Sequence, residues 1–550
     1  MVHNNRKVKV LVVAFLLLAF PSWAKNLYVN GATGSDVTTY ANNDSDNPWL
    51  TVTKACAEAL AGDNVYVTAG TYSAAGTGDR KIPAFNPTSS GTSGNPITFK
   101  AVGTVTLTLS SSTGPVYGAY TKDYITWDGF TTDESDHTMH PTGEPSLAVI
   151  WAANNIVIKN GTFLGSGYYE PLNMNRAAIF LSGGNDSHVY NNTFSNFSGA
   201  DENNADIYLY GSKRNIIEHN THSDGVSAFW SKGSNAEVTN EDNIFRYNLI
   251  SGMSRAGMTL GPSAVTTQVY QNIVYDSAWG ITSRELPLLV FSNNTIVNSS
   301  QSTWGFIRVY TATESSQFLN NLMVYSPSGY GSSGVTSPGT IVSDNNMYFG
   351  ITANYHWNDE GGGNQSFAYW QSTWGKDANS SYADPLFVDN TAHNYHLQAG
   401  SPALTASDTG GPVGAYITGT ETIGTGAADT TPAAFSFTDN TGVALSTVIY
   451  STSIQVTGID NTTSITSSGT GCSYQVNGAG SWLTTGGDNV ALNDNVALRV
   501  TSSGSYSTNT PCVLTLNGNV SDTWNVTTLA AVSDPQTPRF RGSSMSGGWR

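Results

Sequence analysis

The sequence predicts an all-β solenoid whose coils stack in parallel, and two observations support this. A phrase of an apolar residue, two positions, Asn, one position and another apolar residue recurs at Asn-to-Asn intervals of 28, 28, 24, 22, 27 and 24 residues, a spacing typical of solenoids. The surrounding segments alternate apolar and polar residues and are rich in Val, Ile, Thr, Tyr and Asn, which favours short strands over helices. The phrases are Val189 to Phe194, Ile217 to Asn220, Phe245 to Ile250, Val269 to Val274, Phe291 to Ile296, Phe318 to Met323, and Val342 to Met347 with Asn345 at the repeated position.

The repeated asparagines predict a buried ladder. If the coils stack about 4.8 Å apart, each asparagine lies above the previous one, and its amide can donate and accept along the stack. A buried amide satisfied in this way costs little, whereas an isolated one is expensive. The predicted ladder contains Asn192, Asn220, Asn248, Asn272, Asn294, Asn321 and Asn345.

The two ends of the predicted solenoid carry recognisable text. Near the start, a strand at 26–30 and an amphipathic segment at 51–60 precede "AGDNVYVTAGTY" and "SGTSGNPITFKA", and residues 384–416 read "DPLFVDNTAHNYHLQAGSPALTASDTGGPVGAY". Together with the repeat, these segments resemble the right-handed parallel β-helix proteins of the pectate-lyase-like superfamily. The resemblance implies a right-handed parallel β-helix with an N-terminal capping helix, which would cover the open end of the apolar core.

The N-terminus predicts export. Three basic residues precede an apolar run from Val10 to Phe20 and the sequence Pro-Ser-Trp-Ala24, which is typical of a signal peptide over residues 1–24. Its removal takes away three basic and no acidic residues, so the formal charge goes from -17 to -20. A chain this acidic is not expected to bind nucleic acid, and the rest of the sequence contains no apolar run of membrane-spanning length. We therefore expect a secreted or cell-surface protein.

The remaining text divides into regions. We expect the β-helix over 25–418, a Gly/Thr/Ala-rich linker over 419–431, an immunoglobulin-like β-sandwich over 432–530, and a disordered tail over 531–550. Cys472 and Cys512 lie in the sandwich region of an exported chain and predict a disulfide, whereas Cys56 lies in the amphipathic segment and is expected to be buried. Because its Ser/Thr-rich faces offer no cluster of aromatic residues beyond Trp482 and Trp524, the sandwich is predicted to be an attachment or spacer module rather than a sugar binder.

The strands that follow the asparagine turns predict a binding strip. Outward residues of successive coils form a grid on one side of the helix, and here they include rings and guanidinium groups. Rings stack on sugars and Arg binds carboxylates, so the strip suits an anionic polysaccharide. The predicted strip contains Tyr208, Tyr210, Phe229, Arg284, Arg308 and Tyr310.

The turns that enter these strands carry charged residues. β-Elimination on a uronate needs a positive charge that neutralises the carboxylate and a base that takes the adjacent proton. The candidate catalytic residues in these turns are His222, Asp224 and Arg255. The candidate Ca²⁺ ligands are Asp201, Glu202 and Asp206.

The text "SKGSN" followed by "NIFRYNLI", at 231–235 and 243–250, resembles the catalytic coils of the alginate lyase and chondroitinase B family. Carried over by position, Lys232 would be the base. The assisting arginine of that family falls near Gly261 here, with Arg255 a few residues early, and its calcium-binding Glu-x-Glu falls at Gly225 and Ser227. The resemblance therefore implies a lyase and leaves its metal site open.

Three functions fit these patterns. We favour a secreted lyase that cleaves a uronate-containing polysaccharide. The alternatives are a non-catalytic cell-surface β-helix, such as an adhesin, carbohydrate-binding or coat protein, and a glycoside hydrolase that uses Asp201 or Asp206 with Asp224. The sequence does not indicate the polysaccharide, the mode of attack or the oligomeric state.

Overall fold

The computed structural model describes residues 24–531, except 112, 135–145, 167–174, 200–202, 233–239, 262–265, 284–288, 298–305, 310–315, 325–332, 336–340, 351–356, 360–362, 427–431, 458, 460–462, 479–481, 485–488 and 491–493. The predicted signal peptide up to residue 23 and the predicted tail from residue 532 lie outside the described residues. The chain forms two compact units, Met1–Thr425 and Gly426–Arg550. Within the described residues, none of the helices has the length and apolar character needed to cross a membrane.

The first unit is a parallel β-helix, as the sequence predicted. Its helices are α1 (Val52–Glu58) and α2 (Phe367–Trp374), with single 3-10 turns at Tyr40–Asn42 and Pro402–Thr405. Its strands are β1 (Asn26–Val29), β2 (Asn64–Ala75), β3 (Ile97–Ser111), β4 (Tyr117–Tyr120), β5 (Ile125–Asp133), β6 (Ser146–Trp151), β7 (Val157–Lys159), β8 (Thr162–Leu164), β9 (Ala177–Ser182), β10 (His188–Tyr190), β11 (Thr193–Ser195), β12 (Ala205–Tyr210), β13 (Ile216–Glu218), β14 (Thr221–Ser223), β15 (Ser227–Lys232), β16 (Ile244–Arg246), β17 (Leu249–Ser251), β18 (Ala256–Leu260), β19 (Thr267–Tyr270), β20 (Ile273–Tyr275), β21 (Trp279–Ser283), β22 (Leu289–Ser292), β23 (Thr295–Val297), β24 (Ile307–Val309), β25 (Gln317–Leu319), β26 (Leu322–Val324), β27 (Ser333–Val335), β28 (Val342–Asp344), β29 (Met347–Phe349), β30 (Trp357–Asp359), β31 (Gly363–Gln365), β32 (Ser381–Tyr382), β33 (Phe387–Asp389) and β34 (Asn394–Leu397).

Each full coil contributes one strand to each of three faces. The first face runs from β1, β2, β3 and β5 through β7, β10, β13, β16, β19, β22 and β25 to β28, and the second from β8 through β11, β14, β17, β20, β23, β26 and β29 to β32. The third face runs from β4 through β6, β9, β12, β15, β18, β21, β24 and β27 to β30, with β31 antiparallel at its end. Apolar side chains from all three faces fill the interior.

The predicted asparagine ladder lies at the turn between the first and second faces. Each ladder side chain is fully buried; Asn294, for example, accepts from the backbone and amide nitrogens of Asn272 and donates to Asn321 Oδ1 at 3.2 Å. The residue before each ladder asparagine has a left-handed backbone, as at Asn293 with φ 53°.

The ladder is confirmed from Asn192 to Asn321, but the assignment of Asn345 is wrong. Asn321 donates to Asn346 Oδ1, and Asn345 is the left-handed residue before it. The register shifted because Ser343, not Val342, takes the inward position in β28, while Val342 is 43% exposed.

We expect Asn294→Ala to lower the free energy of unfolding of the β-helix by about 2–4 kcal/mol. The substitution leaves the buried backbone N–H of Asn272 without its acceptor and the carbonyls of Val269 and Ser292 without donors. Urea unfolding followed by tryptophan fluorescence measures the change. Asn293→Gly is the matched control, because its left-handed backbone suits glycine, and it should change stability little. Equal losses of unfolding free energy in both variants would contradict a stabilising role of the Asn294 side-chain amide.

Both ends of the β-helix are closed. At the start, α1 places Val52, Ala55 and Cys56 in the core, which confirms the predicted capping helix and the buried Cys56. At the far end, the ladder finishes on the buried carboxylate of Asp377, whose pKa is raised by burial. That carboxylate accepts hydrogen bonds from Ser343, Asn346, Tyr348, Trp370 and Ser380.

After the last coil, the chain returns along the outer side of the second face. We call residues 387–425 the return segment. Its apolar side chains pack on outward residues of the second face, including Ile273, Val297 and Leu322. Close approach requires glycine at two points: a Cβ at Gly414 would lie 2.8 Å from Thr295 Oγ1, and one at Gly424 would lie 2.7 Å from Leu249 Cβ. The segment ends where the Thr425 N–H donates to Thr221 Oγ1 at 2.8 Å.

The second unit is a β-sandwich around one apolar core. One sheet has the order β35-β43-β42-β38-β40, and the other pairs β41 with β36, β37 and β39. The predicted disulfide between Cys472 and Cys512 is present. The strands are β35 (Asn440–Val443), β36 (Val448–Tyr450), β37 (Ile454–Gln455), β38 (Thr463–Ser468), β39 (Ser473–Val476), β40 (Asn489–Val490), β41 (Asn495–Thr501), β42 (Asn509–Leu516) and β43 (Val520–Thr528).

Candidate functional site

The outer side of the third face carries a row of stacked rings. Strand alternation directs Ile207 and Leu209 into the core, and Tyr208 and Tyr210 outward, as predicted. The register places Phe180, Tyr208 and Trp230 at one level of β9, β12 and β15. The ring centroids are 5.1 Å apart for Phe180 and Tyr208 and 6.0 Å apart for Tyr208 and Trp230.

Trp151 extends this row towards the start of the helix. Its ring stacks on Phe180 with centroids 6.1 Å apart and planes 14° apart. The row from Trp151 to Trp230, which we call the aromatic row, thus spans four adjacent strands of the third face, or about 14 Å. Phe180 and Tyr208 are almost fully buried, while Trp151 and Trp230 retain some exposure.

Each end of the aromatic row carries two cations. Lys232 Nζ lies 5.5 Å from the centre of the Trp230 ring, and the Arg255 guanidinium lies 5.2 Å from it. At the other end, Arg80 and Lys81 lie 5.7 Å and 5.2 Å from the Trp151 ring. Because an indole face attracts cations, these contacts help to hold the four side chains on one side of the helix.

Lys232 is also held by amides. Its Nζ donates to Asn175 Oδ1 at 3.0 Å and to Asn203 Oδ1 at 3.4 Å. The Tyr208 hydroxyl donates to the same Asn175 oxygen at 2.8 Å. The amine, the phenol and the amide therefore meet over the outer side of β12, where Tyr208 is buried and Asn175 and Lys232 remain partly exposed.

Phe229 was predicted to face outward, and this is wrong. A change of alternation at the start of β15 turns both Ala228 and Phe229 into the core. The Phe229 ring packs against His222 and Phe245 there. The outward ring of this strand is Trp230.

Asp206 and His222, which were predicted at the site, lie inside the β-helix. Both are fully buried, with His222 Nδ1 2.8 Å from Asp206 Oδ2 and the imidazole stacked on Phe194. Burial raises the pKa of Asp206, and the contact with His222 offsets part of the shift. Asp206 Oδ1 and His222 Nε2 have no hydrogen-bond partner within the described part of the chain. Neither residue can reach a substrate on the outer side.

The other predicted site residues divide into two groups. Asp224 is exposed at the turn after β14, with a left-handed backbone, and Arg308 lies in β24 opposite Thr282. Asp201, Glu202, Arg284 and Tyr310 lie outside the described residues. Among the residues that are described, no group of three or more His, Cys, Asp or Glu side chains could hold a metal ion.

The first face carries a separate charged network on its outer side. Glu218 Oε1 lies 2.7 Å from His188 Nε2, and Arg246 donates to Glu218 Oε2 and to the Tyr270 hydroxyl. Burial alone would raise the pKa of Glu218, but His188 and Arg246 lower it to about 2. Because these charges satisfy one another, we assign the network to the stability of the stack.

This network predicts a pH dependence. A carboxylate whose pKa is lowered by folding contributes stability above its unfolded pKa of 4.5, and that contribution is lost as the pH falls towards about 2. We expect Glu218→Gln to cost about 1–3 kcal/mol at neutral pH, with the difference from wild type shrinking below pH 4.5. Urea unfolding across this pH range measures it. Glu58→Gln is the control, because it removes a partly exposed helix pair with Lys54 and should cost little. A Glu218→Gln cost that is constant with pH would contradict the assignment.

The sequence reasoning found Tyr208 but missed the other three rings of the aromatic row, Trp151, Phe180 and Trp230. Phe180, Tyr208 and Trp230 are separated by 28 and 22 residues, which is within the interval range of the asparagine repeat. This spacing was a usable signal for a column of rings. Asn175, Asn203, Arg80 and Lys81 precede strands in irregular turns, where no repeat indicates which way a side chain points.

Comparison with known proteins gives one family match and several similar solved structures. Residues 32–288 match a family described as "Protein of unknown function (DUF1565)". No curated protein matches the chain.

Solved structures similar to this chain include a protein in complex with xylose and proteins named as polysaccharide lyases. A complex of XylC with xylose is 13% identical with a TM-score of 0.43, covering 66% of this chain and 86% of the other. A rhamnogalacturonan lyase is 16% identical with a TM-score of 0.39, covering 59% and 87%. An alginate lyase from Paenibacillus sp. str. FPU-7 is 12% identical with a TM-score of 0.27, covering 66% and 98%. With TM-scores this low, none of them says what this chain acts on.

Proposed function

We propose that this chain is a secreted polysaccharide-active β-helix protein, and specifically a lyase that cleaves a uronate-containing polysaccharide by β-elimination. The observation that carries the proposal is the meeting of Lys232, Arg255 and the Tyr208 hydroxyl around Trp230 and Asn175 on the outer side of the third face. An amine and a guanidinium held together on one surface supply the two functions that the reaction needs.

The proposed roles follow from the chemistry. Arg255 faces the uronate carboxylate and stabilises the negative charge that develops when the neighbouring C–H bond is broken. Lys232, in its uncharged form, takes that proton. The electron pair of the C–H bond forms the new carbon–carbon double bond, and the bond to the glycosidic oxygen breaks. The leaving oxygen takes up a proton from water, and the product is an unsaturated uronate.

In this proposal the polymer lies along the aromatic row and contacts the cations at its two ends, since Phe180 and Tyr208 in the middle of the row are buried. A chain along the helix axis would run from Arg80 and Lys81 at Trp151 to Lys232 and Arg255 at Trp230, a distance of a few sugar residues. Cations at both ends of the row favour a polymer with repeated carboxylates over a neutral glycan.

The remaining candidate ligands for Ca²⁺ lie outside the described part of the chain. Of the predicted ligands, Asp206 does not fit a calcium site reached from outside, because it is fully buried and one of its oxygens contacts His222. Asp201 and Glu202 remain the candidates. If Ca²⁺ binds there, it would supply positive charge near the uronate carboxylate.

Burial of Asp206 removes one of the two carboxylate pairs predicted for the hydrolase alternative, whereas the pair of Asp201 and Asp224 includes a residue outside the described part of the chain. A pair of carboxylates can act as acid and base only if both reach the glycosidic bond. Asp224 is exposed, but Asp206 lies in the core, so these two cannot flank one sugar.

Export is part of the proposal. The Cys472–Cys512 disulfide supports an oxidising compartment, since such bonds are rare in the cytosol. Sequencing the N-terminus of the exported protein should give Lys25 as the first residue.

A substrate screen tests the function. Wild-type protein is incubated with alginate, pectate, a heparinoid and chondroitin sulfate, with and without chelator, and the ultraviolet absorbance of an unsaturated uronate is followed. We expect absorbance with at least one polymer. Intact polymers throughout, together with surface attachment of the protein, would favour the non-catalytic cell-surface reading, and new reducing ends without absorbance would favour a hydrolase.

A further inference from the structure

The sandwich of the second unit carries an aromatic patch on the outer side of its four-stranded sheet. In this sheet Leu498, Val500 and Tyr474 point into the core. The register pairs Tyr450 and Ser473 with Arg499, between these core positions, so Tyr450 and Arg499 lie on the opposite side. Tyr450 is 56% exposed, and Val448, two residues before it in β36, is 45% exposed.

Trp482 completes the patch. Its ring lies 5.5 Å from that of Tyr450, with the two planes tilted by 55°. The Arg499 guanidinium lies 4.8 Å from the Trp482 ring, and its Nε donates to Ser473 Oγ at 3.1 Å. The Tyr450 ring, the Trp482 ring and the Arg499 guanidinium therefore lie close together on the outer side of this sheet. The other tryptophan of the sandwich, Trp524, is fully buried in the core.

The charge of the patch is unusual for this unit. Arg499 is the only Lys or Arg between residues 432 and 530, a segment that contains five aspartates. Within the described residues, Arg499 forms no ion pair, and its contacts are to Trp482 and Ser473. Placing the one cation of an acidic module on its exposed rings fits an anionic partner that also offers apolar faces. Sugars with carboxylate groups have both properties, because rings stack on the sugar face while Arg binds the carboxylate.

We propose that Tyr450, Trp482 and Arg499 form a carbohydrate-binding site for an acidic polysaccharide, separate from the aromatic row of the β-helix. The sandwich then holds the polymer rather than acting only as a spacer. This site does not depend on the proposed lyase activity, because binding through the patch requires no reaction at Lys232.

Affinity electrophoresis of the full-length protein tests the site. Native gels contain pectate, alginate or chondroitin sulfate, with dextran as the neutral polymer, and Lys232→Ala is the background so that the polymer in the gel is not consumed. We expect Tyr450→Ala and Trp482→Ala to weaken retardation by acidic polymers about tenfold. Arg499→Gln should weaken it similarly and reduce its dependence on salt. Tyr506→Ala, which removes an exposed tyrosine elsewhere in the same unit, is the matched control and should bind as the background does.

Several outcomes would overturn the proposal. Retardation of the three patch variants equal to that of Tyr506→Ala would exclude the patch, as would equal retardation of the unsubstituted background by dextran and by the acidic polymers. If Trp482→Ala fails to fold, the more exposed Tyr450 still provides the test. Turnover of a short oligouronate by Tyr450→Ala in the wild-type background should be unchanged. Normal turnover with no change in polymer binding would retain the lyase and discard the patch.

Discussion

Lys232→Ala should lower turnover of a uronate polymer by about 10²- to 10⁴-fold while the β-helix stays folded. The expected loss is that of a general base, which acts in the transition state and contributes nothing to the apolar core. Lys232 is the last residue of β15 and is half-buried. Truncating its side chain therefore leaves no cavity inside the helix. The measurement is the initial rate of ultraviolet absorbance under saturating substrate.

Lys213→Ala is the matched control for that experiment. Lys213 lies between β12 and β13, where its amine pairs with Glu241 at 2.8 Å, and its loss should leave the rate unchanged. Lys232→Arg separates the two possible roles of the side chain. A base role predicts that arginine does not restore the rate, whereas a purely positioning charge predicts rescue. A rate that persists in Lys232→Ala would assign the base to another residue.

Asp206→Ala and His222→Phe should each lower the free energy of unfolding by about 3–5 kcal/mol, whereas the double substitution should be close to wild type or more stable. Each single change leaves a buried polar partner without its contact, and the double change removes both. The aligned positions of the neighbouring coils indicate which apolar side chains fit at these two sites. Asp206 lies between Ala178 and Ala228 in the register of the third face, and His222 follows Phe194 in the second.

The double-mutant cycle is measured by urea unfolding at pH 7. A coupling energy near zero would show that the two side chains contribute independently and would contradict the pairing. Turnover of the double variant adds a second result. Because both residues lie in the core, we expect the double variant to retain wild-type activity, and a large loss would show that the interior pair acts on the outer site.

The fold could be predicted because the sequence contains two independent regularities. Apolar alternation indicated strands, and the recurring Asn fixed the register from one coil to the next, since a buried amide requires a partner above and below it. The error at Asn345 arose where the pattern relaxed: Ser343 replaces the apolar inward residue and is held by Asp377 from far along the chain. A local pattern cannot reveal such a contact.

The site was predictable only in part. Alternation placed Tyr208 and Tyr210 outward because they follow a regular strand, whereas Lys232 was identified from the family resemblance and not from alternation. Phe229 failed because one additional inward residue at the start of β15 reverses the alternation after it. Asp206 and His222 looked like site residues because they are polar and adjoin turns. Their burial depends on a mutual contact between β12 and β14 that no spacing in the sequence indicates.

The return segment changes how this solenoid should assemble. In a repeat protein with only neighbour contacts, terminal coils can open and close independently, and synthesis can complete one coil after another. Here residues after 386 cover coils that were made far earlier, and the contact between Thr221 and Thr425 closes a loop of 204 residues. The apolar outer side of the second face therefore remains exposed to water until nearly the whole first unit has been synthesised. Such high contact order slows folding and makes the finished coils open together.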